Sequence, residues 1–355
     1  VAQISERMVL SRRHGLGLAA TLAFAGWLRP ALAAAAVQHK VKLAPGGLYE
    51  LVASRTTGLL HVAAAGSRGG NEAVILALDP RTLDVKGRLA LPQPAFGLAV
   101  NDSTGTLYTT NTRSGSVSAI DLRTGRTVAT IARDEDAHVR QVLVDEEANK
   151  AYVSVYGYRE KPSAIWVIDG ARNEVAAVFD KGLDEGLTGL ALDRTGNRAF
   201  ATRLKTNDVL TVDLADGAVK RSFASGGEGP VNAAYDAARN RLFVANQKSG
   251  TLTVLDAESG TVVKSIATGA GALGVTLHPG NGTILVANRG AGTVSIVDGT
   301  TLVVRNSLAT GSHPNTVAVD PATGIAYVTN KAPSAGRGQP PVDDPNGDTV
   351  CMIRF

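Results

Sequence analysis

Basic side chains recur at one place along this sequence, each shortly after an apolar run. They are Arg68, then Arg113, then Arg159 with Lys161, then Arg203 with Lys205, then Lys248, Arg289 and Lys331. Convergent cations of this kind bind phosphates or carboxylates, provided the fold brings them to one surface. A surface for a single-stranded polyanion also needs aromatic platforms, worth about 1–3 kcal/mol per stacked base. Tyr156 and Tyr158 flank Gly157 beside Arg159, and Phe96 lies in a neighbouring type of loop. These residues form the candidate ligand-binding set. Hairpin loops are also rich in solvated Lys and Arg without any ligand, and the sequence leaves the two readings level.

Carboxylates offer a second chemistry. Arg133–Gln141 (RDEDAHVRQ) and Asp184–Gly186 place acids in loops of the same set, where a phosphate backbone would be repelled. Asp134, Asp136, Glu185, His138 and His313 could instead hold a cation for a metal-dependent hydrolase or lactonase. The two histidines lie far apart in the sequence, however, and no HxH or HExxH spacing occurs. No metal or other cofactor is called for. Gly269–Gly274 matches GxGxxG but leads into a strand pattern rather than a helix, so a dinucleotide site is not indicated. No GxSxG elbow or Walker loop is present. Cys351, the single cysteine, sits in an apolar run and reads as a small core residue. Trp166 likewise reads as strand packing. The balance favours binding over catalysis.

The elements that would position these residues follow from self-similarity. LYTTNTRSGSVSAIDLRTGRTVATI from Leu107, LFVANQKSGTLTVLDAESGTVVKSI from Leu242 and ILVANRGAGTVSIVDGTTLVVRNSL from Ile284 share one pattern. Each has three strands joined by turns, and one more strand precedes each unit. Gly in the RSG, KSG and GAG turns supplies the positive φ of tight hairpins. Asp79, Asp121, Asp169, Asp213, Asp256 and Asp298 mark the period, at spacings of 42, 48, 44, 43 and 42 residues. Asp at such a place accepts hydrogen bonds from the turn that follows it.

A seventh unit, Asn315–Phe355, lacks its fourth strand, and Val37–Leu43 aligns with the missing piece. The expectation is all-β: a seven-bladed β-propeller of four-stranded antiparallel blades, its ring closed by the N-terminal strand pairing with the C-terminal blade. Loops after the second and fourth strands then share one face, which collects the basic set. The strand-ending aspartates lie toward the other. Tyr108, Phe243 and Tyr327 are assigned to the core. Pro333–Gly347, rich in Pro and Gly, forms an insert on the basic face, either a lid or a tolerated loop.

Residues 1–33 read as an export signal: Ser11-Arg12-Arg13, a 13-residue apolar run from Leu16 to Leu28, then Ala31-Leu32-Ala33. The run is shorter than the ~18–20 residues of a membrane span. SRRHGLG resembles a twin-arginine signal, departing from it at Gly15 and Gly17. The expected domains are thus this signal and a propeller over 34–355. The formal net charge is +4, but residues 1–33 hold four Arg and one Glu, so the remainder carries +1. Bulk charge therefore gives no support for nucleic-acid binding.

Tyr327-Val328-Thr329-Asn330, with YTTN at 108, FVAN at 243 and LVAN at 285, resembles the YVTN-repeat β-propeller family. SAIWVIDGARN (163–173), GLTGLALDRTGNRAFAT (186–202), GSHPNTVAVD (311–320) and the stretch from Thr329 to Phe355 are similar to exported bacterial members of it. The resemblance covers essentially all of the chain after the signal. It implies a periplasmic, non-catalytic propeller associated with single-stranded DNA binding and iron-regulated expression. No contact residue is carried over from the family. Expected partners are single-stranded DNA or another anionic ligand, or an envelope protein using the same face, with a monomeric propeller and no membrane span after signal removal.

Overall fold

The computed structural model describes residues 35–355 except 68, 69, 71, 135, 159, 160, 185 and 336–341. Seven four-stranded antiparallel sheets make up these residues. Within six of them the strands run in sequence order from the innermost outward. The innermost strands of blades 1 to 7 are Leu48–Ala53, Leu98–Asn101, Val139–Asp145, Leu187–Asp193, Pro230–Asp236, Ala272–Leu277 and Pro314–Val319. Each lies against the innermost strands of the two neighbouring blades, blade 7 against blade 1 included. The arrangement is a closed β-propeller.

Closure has the expected form. Ala36–Lys42 pairs antiparallel with Thr349–Arg354, with Val37 opposite Ile353 and Lys42 opposite Thr349. Blade 7 thereby gains its outer strand from the opposite end of the domain, which leaves no open edge in the ring.

The local chemistry explains why the units repeat. Asp79, Asp121, Asp169, Asp213, Asp256 and Asp298 each accept a hydrogen bond at Oδ1 from the amide two residues on, at 2.8–3.1 Å. Hydrogen bonds from turn amides hold the carboxyls of Asp169, Asp213 and Asp256 below the usual range. The innermost hairpins of blades 3, 4 and 5 turn at Asn149, Asn197 and Asn240, whose φ values of 49°, 48° and 50° are left-handed.

The repeated Asn at the end of the second strand is a bracket inside the blade. Asn111 Nδ2 donates to Ser116 Oγ at 3.1 Å and Ser118 Oγ at 2.8 Å. Asn246 does the same to Thr253 Oγ1 at 3.1 Å, and Asn288 to Ser295 Oγ at 3.0 Å. Asn330 reaches Thr349 Oγ1 at 3.1 Å and Cys351 Sγ at 3.4 Å. All four are buried, so the Asn of the repeat ties the second strand to the third rather than facing solvent.

Apolar side chains fill the wedges between blades. Leu48, Leu60 and Val62 of blade 1 meet Tyr327, Val350 and Met352 of blade 7. Tyr327 Oη crosses this wedge to donate to Pro80 O at 2.8 Å. Trp166 and Tyr108 share the wedge between blades 2 and 3. Tyr108, Phe243, Tyr327, Trp166 and Cys351 are all buried core residues. Outer strands alternate, with Val128 exposed on the rim.

Candidate ligand-binding face

The seven innermost strands enclose a channel of about 900 Å³. At its start on the loop face, the innermost strand slips register against the second strand in blades 1, 3, 4, 5, 6 and 7. A bulge of this kind re-aims the residues beside it. Two rings of residues result. The upper ring is Tyr49, Phe96, Arg140, Thr188, Val231, Leu273 and Asn315. Beneath it runs Glu50, Gly97, Gln141, Asn232, Gly274 and Thr316, with Gly189 at the equivalent place in blade 4.

The lower ring alternates long side chain and glycine from blade 1 to blade 6. Glu50 Oε2 accepts from Leu98 N at 3.1 Å, and Gln141 Oε1 accepts from Leu190 N at 2.6 Å. Asn232 Nδ2 donates to Leu273 O at 3.0 Å. Each thus reaches the next blade, where a glycine stands at the matching place. That glycine is required: a Cβ on Gly189 would lie 2.3 Å from Val231 O, and one on Gly274 2.6 Å from Asn315 O. Burial pushes the Glu50 carboxyl up to about 7.

The expected basic set divides into two groups by register. Residues directly after the bracket Asn, or its equivalent, lean into the channel mouth. Arg289, half-buried, donates from Nη1 to Asn315 Oδ1 at 2.8 Å. Lys331 Nζ donates to Tyr49 Oη at 2.5 Å and lies 4.0 Å from that ring's centroid. Tyr156, half-buried, has the Arg140 guanidinium 5.7 Å from its centroid and the His138 ring at 5.8 Å. Residues one further along point outward: Arg113, Lys205 and Lys248 are exposed. Arg113 nonetheless lies over Phe96, with Cζ 5.6 Å from the ring centroid. Tyr158 packs edge-on to His138 at 5.8 Å, and Lys161 is exposed. Arg159 and Arg68 lie outside the described residues.

Arg203 departs from the expectation. It occupies the bracket position itself, one residue before the loop, and is buried. Its Nε donates to Asp208 Oδ1 at 2.9 Å and its Nη1 to Asp184 Oδ2 at 2.8 Å. In blade 4 an Arg–Asp pair does the work that Asn and Ser or Thr do elsewhere, so this guanidinium is committed to the fold. Asp184, one of the acids that argued against an anion, shares this one guanidinium with Asp208 and stays largely exposed.

Three residues at the mouth escaped the sequence reading: Tyr49, Glu50 and Arg140. Arg140 extends into the lumen, reached by water yet ringed by protein. That enclosure lowers its pKa, as it does that of Arg289, by removing water from the charge. Burial, and after it the charges of Arg140 and Arg289 respectively, lower the pKa of His138 and His313. Among the described residues, no carboxylate lies within 4.0 Å of the cationic groups of Arg113, Arg140, Arg289 or Lys331. No grouping of three or more His, Cys, Asp or Glu suited to a metal is assembled among the described residues. No helix there is long and apolar enough to cross a membrane.

No protein-family model matches the chain. It is 31% identical over 197 residues to the uncharacterized protein YncE of Escherichia coli strain K12, covering 52% of this chain and 54% of that protein. With YncE of Salmonella typhi it shares 30% identity over 185 residues, 49% of this chain and 50% of the other. The chain thus spans about half the length of the curated relatives it matches.

Proposed function

We propose that this chain, a YncE-like seven-bladed β-propeller, is an exported, non-enzymatic binding protein whose loop face holds an anionic polymer, single-stranded DNA foremost. One observation carries the reading. Cations without a carboxylate partner among the described residues pair with aromatic rings around one mouth of the ring: Lys331 with Tyr49, Arg113 with Phe96, Arg140 with Tyr156. A single strand asks for this pairing, since its phosphates need charge and its unstacked bases need flat apolar surface. Residues 1–33, which lie outside the described residues, support export through their Arg pair and apolar run, and the periplasm is the compartment that follows.

The test is fluorescence anisotropy of a labelled single-stranded oligonucleotide with protein lacking residues 1–33, at two salt concentrations. Affinity falls with salt in proportion to the phosphates neutralised. Replacing Arg113 and Lys248 by Glu weakens binding and flattens that salt slope; replacing Tyr156 and Tyr158 by Ala weakens binding at both salts. Binding indifferent to salt, or unchanged by charge reversal, rejects the reading. An envelope protein using this face without nucleic acid is the alternative, and pull-down from periplasmic extract with the same variants separates the two.

A further inference from the structure

The loop rim and the channel lumen differ in chemistry, and the lumen has a character of its own. On one side Arg140 projects into it with no carboxylate partner among the described residues. Tyr49 and Phe96 stand beside it, their rings edge-to-face at 4.5 Å between centroids. Across the ring, blades 5 and 6 present Val231 and Leu273 at the same level as Arg140. A guanidinium facing Val231 and Leu273, with aromatic edges beside it, offers a charge to fix a ligand's orientation and apolar surface to take its body. The channel, about 900 Å³ over its whole length, has room for such a ligand at its mouth.

We infer that the channel mouth is a binding site for one small organic anion with a planar, apolar body, its acidic group on Arg140 and its body against Val231 and Leu273. A guanidinium forks onto a carboxylate or a phosphate with two parallel hydrogen bonds, so either group satisfies the chemistry. Glu50, on the ring just below, does not oppose this. Its carboxyl is held up to about 7 by burial, so much of its negative charge is suppressed near neutral pH. The site shares Arg140, Tyr49 and Phe96 with the proposed polymer-binding face but not that face's outward cation Lys248.

Isothermal titration with benzoate, phenyl phosphate, inorganic phosphate and benzyl alcohol tests this, using the protein lacking residues 1–33. Saturable one-to-one binding of benzoate or phenyl phosphate is expected; whichever is tighter identifies the acidic group. Neither inorganic phosphate nor benzyl alcohol alone matches that affinity. Arg140→Met weakens binding about tenfold or more, equivalent to about 1.4 kcal/mol. Arg140→Lys retains part of it, and Lys248→Ser leaves it within about twofold. Because Arg140 makes no ion pair among the described residues, both variants are expected to keep the wild-type melting temperature. Equal affinity for benzyl alcohol, an unaffected Arg140→Met protein, or no saturable binding at millimolar benzoate overturns the proposal. Loss of oligonucleotide binding in the rim variant bears only on the polymer reading.

Discussion

Lys331 and Tyr49 meet across the seam where blade 7 adjoins blade 1, with Nζ 2.5 Å from the phenol oxygen and 4.0 Å from the ring centroid. The contact joins residues 282 positions apart in sequence. Tyr49→Phe removes the acceptor but keeps the ring, and should cost about 0.5–1.5 kcal/mol of stability. A double-mutant cycle with Lys331→Met, followed by denaturant unfolding, should give a coupling energy of similar size. A coupling indistinguishable from zero would mean that the two side chains are merely adjacent.

Glu50 makes stability depend on pH. An acid whose folded pKa lies above its unfolded value costs nothing while both states are protonated. The cost grows as pH rises from the ordinary value of 4.5 toward about 7, and is complete above that. It is at most about 3 kcal/mol, since the lumen admits water. Glu50→Gln, which copies the side chain of Gln141 and can still accept from Leu98 N, should therefore stabilise the fold by about 1–3 kcal/mol at pH 8. At pH 4 the gain should vanish. Unfolding curves at both pH values decide it, and an equal gain at each would contradict the raised pKa.

Arg203 and Arg113 stand two positions apart in the register of the same loop type but should behave oppositely. Arg203→Ala strands Asp208, whose side chain is 14% exposed, and should cost about 3 kcal/mol. Arg113→Ala should change stability by less than about 0.5 kcal/mol while weakening oligonucleotide binding. Melting temperatures and anisotropy on the two variants check both halves of the statement.

Gly189 should tolerate no side chain. Its added Cβ would meet Val231 O at 2.3 Å and Asn232 Cα at 2.8 Å, both backbone atoms. Gly189→Ala is expected to cost about 2–3 kcal/mol. Gly87, on the outer strand of blade 1, has its nearest neighbour 3.6 Å away, at Ala77 Cβ. Gly87→Ala should be neutral or stabilise by up to about 1 kcal/mol. Similar losses at both sites, measured by chemical unfolding, would refute the close approach at the lower ring.

The fold was legible because a repeat states its period several times over. Asp121, Asp169, Asp213 and Asp256 announce their turns through residue type alone, and Val37–Leu43 aligns with the strand that blade 7 lacks. The site was legible only in part. Arg203 reads as one more loop cation because the alignment places it a single residue from the loop, and only its carboxylate partners reveal its bracket role. Tyr49, Glu50 and Arg140 fall at the start of strand patterns, where alternation suggests packing. The register slip beside them, which turns adjacent residues toward the lumen, depends on pairing with the second strand and leaves no mark on residue type.

The lower ring carries an arithmetic consequence. Seven is odd, so a strict alternation of large and absent side chains cannot return to its start without one mismatch. The mismatch falls between Thr316 and Glu50, where two side chains follow one another with no glycine between. That is the same junction at which the polypeptide closes its circle and Lys331 crosses to Tyr49. An even-bladed relative of this design would be free of such a defect. Here parity forces one irregular sector into an otherwise regular wheel, and the single ionisable member of that ring, Glu50, stands within it.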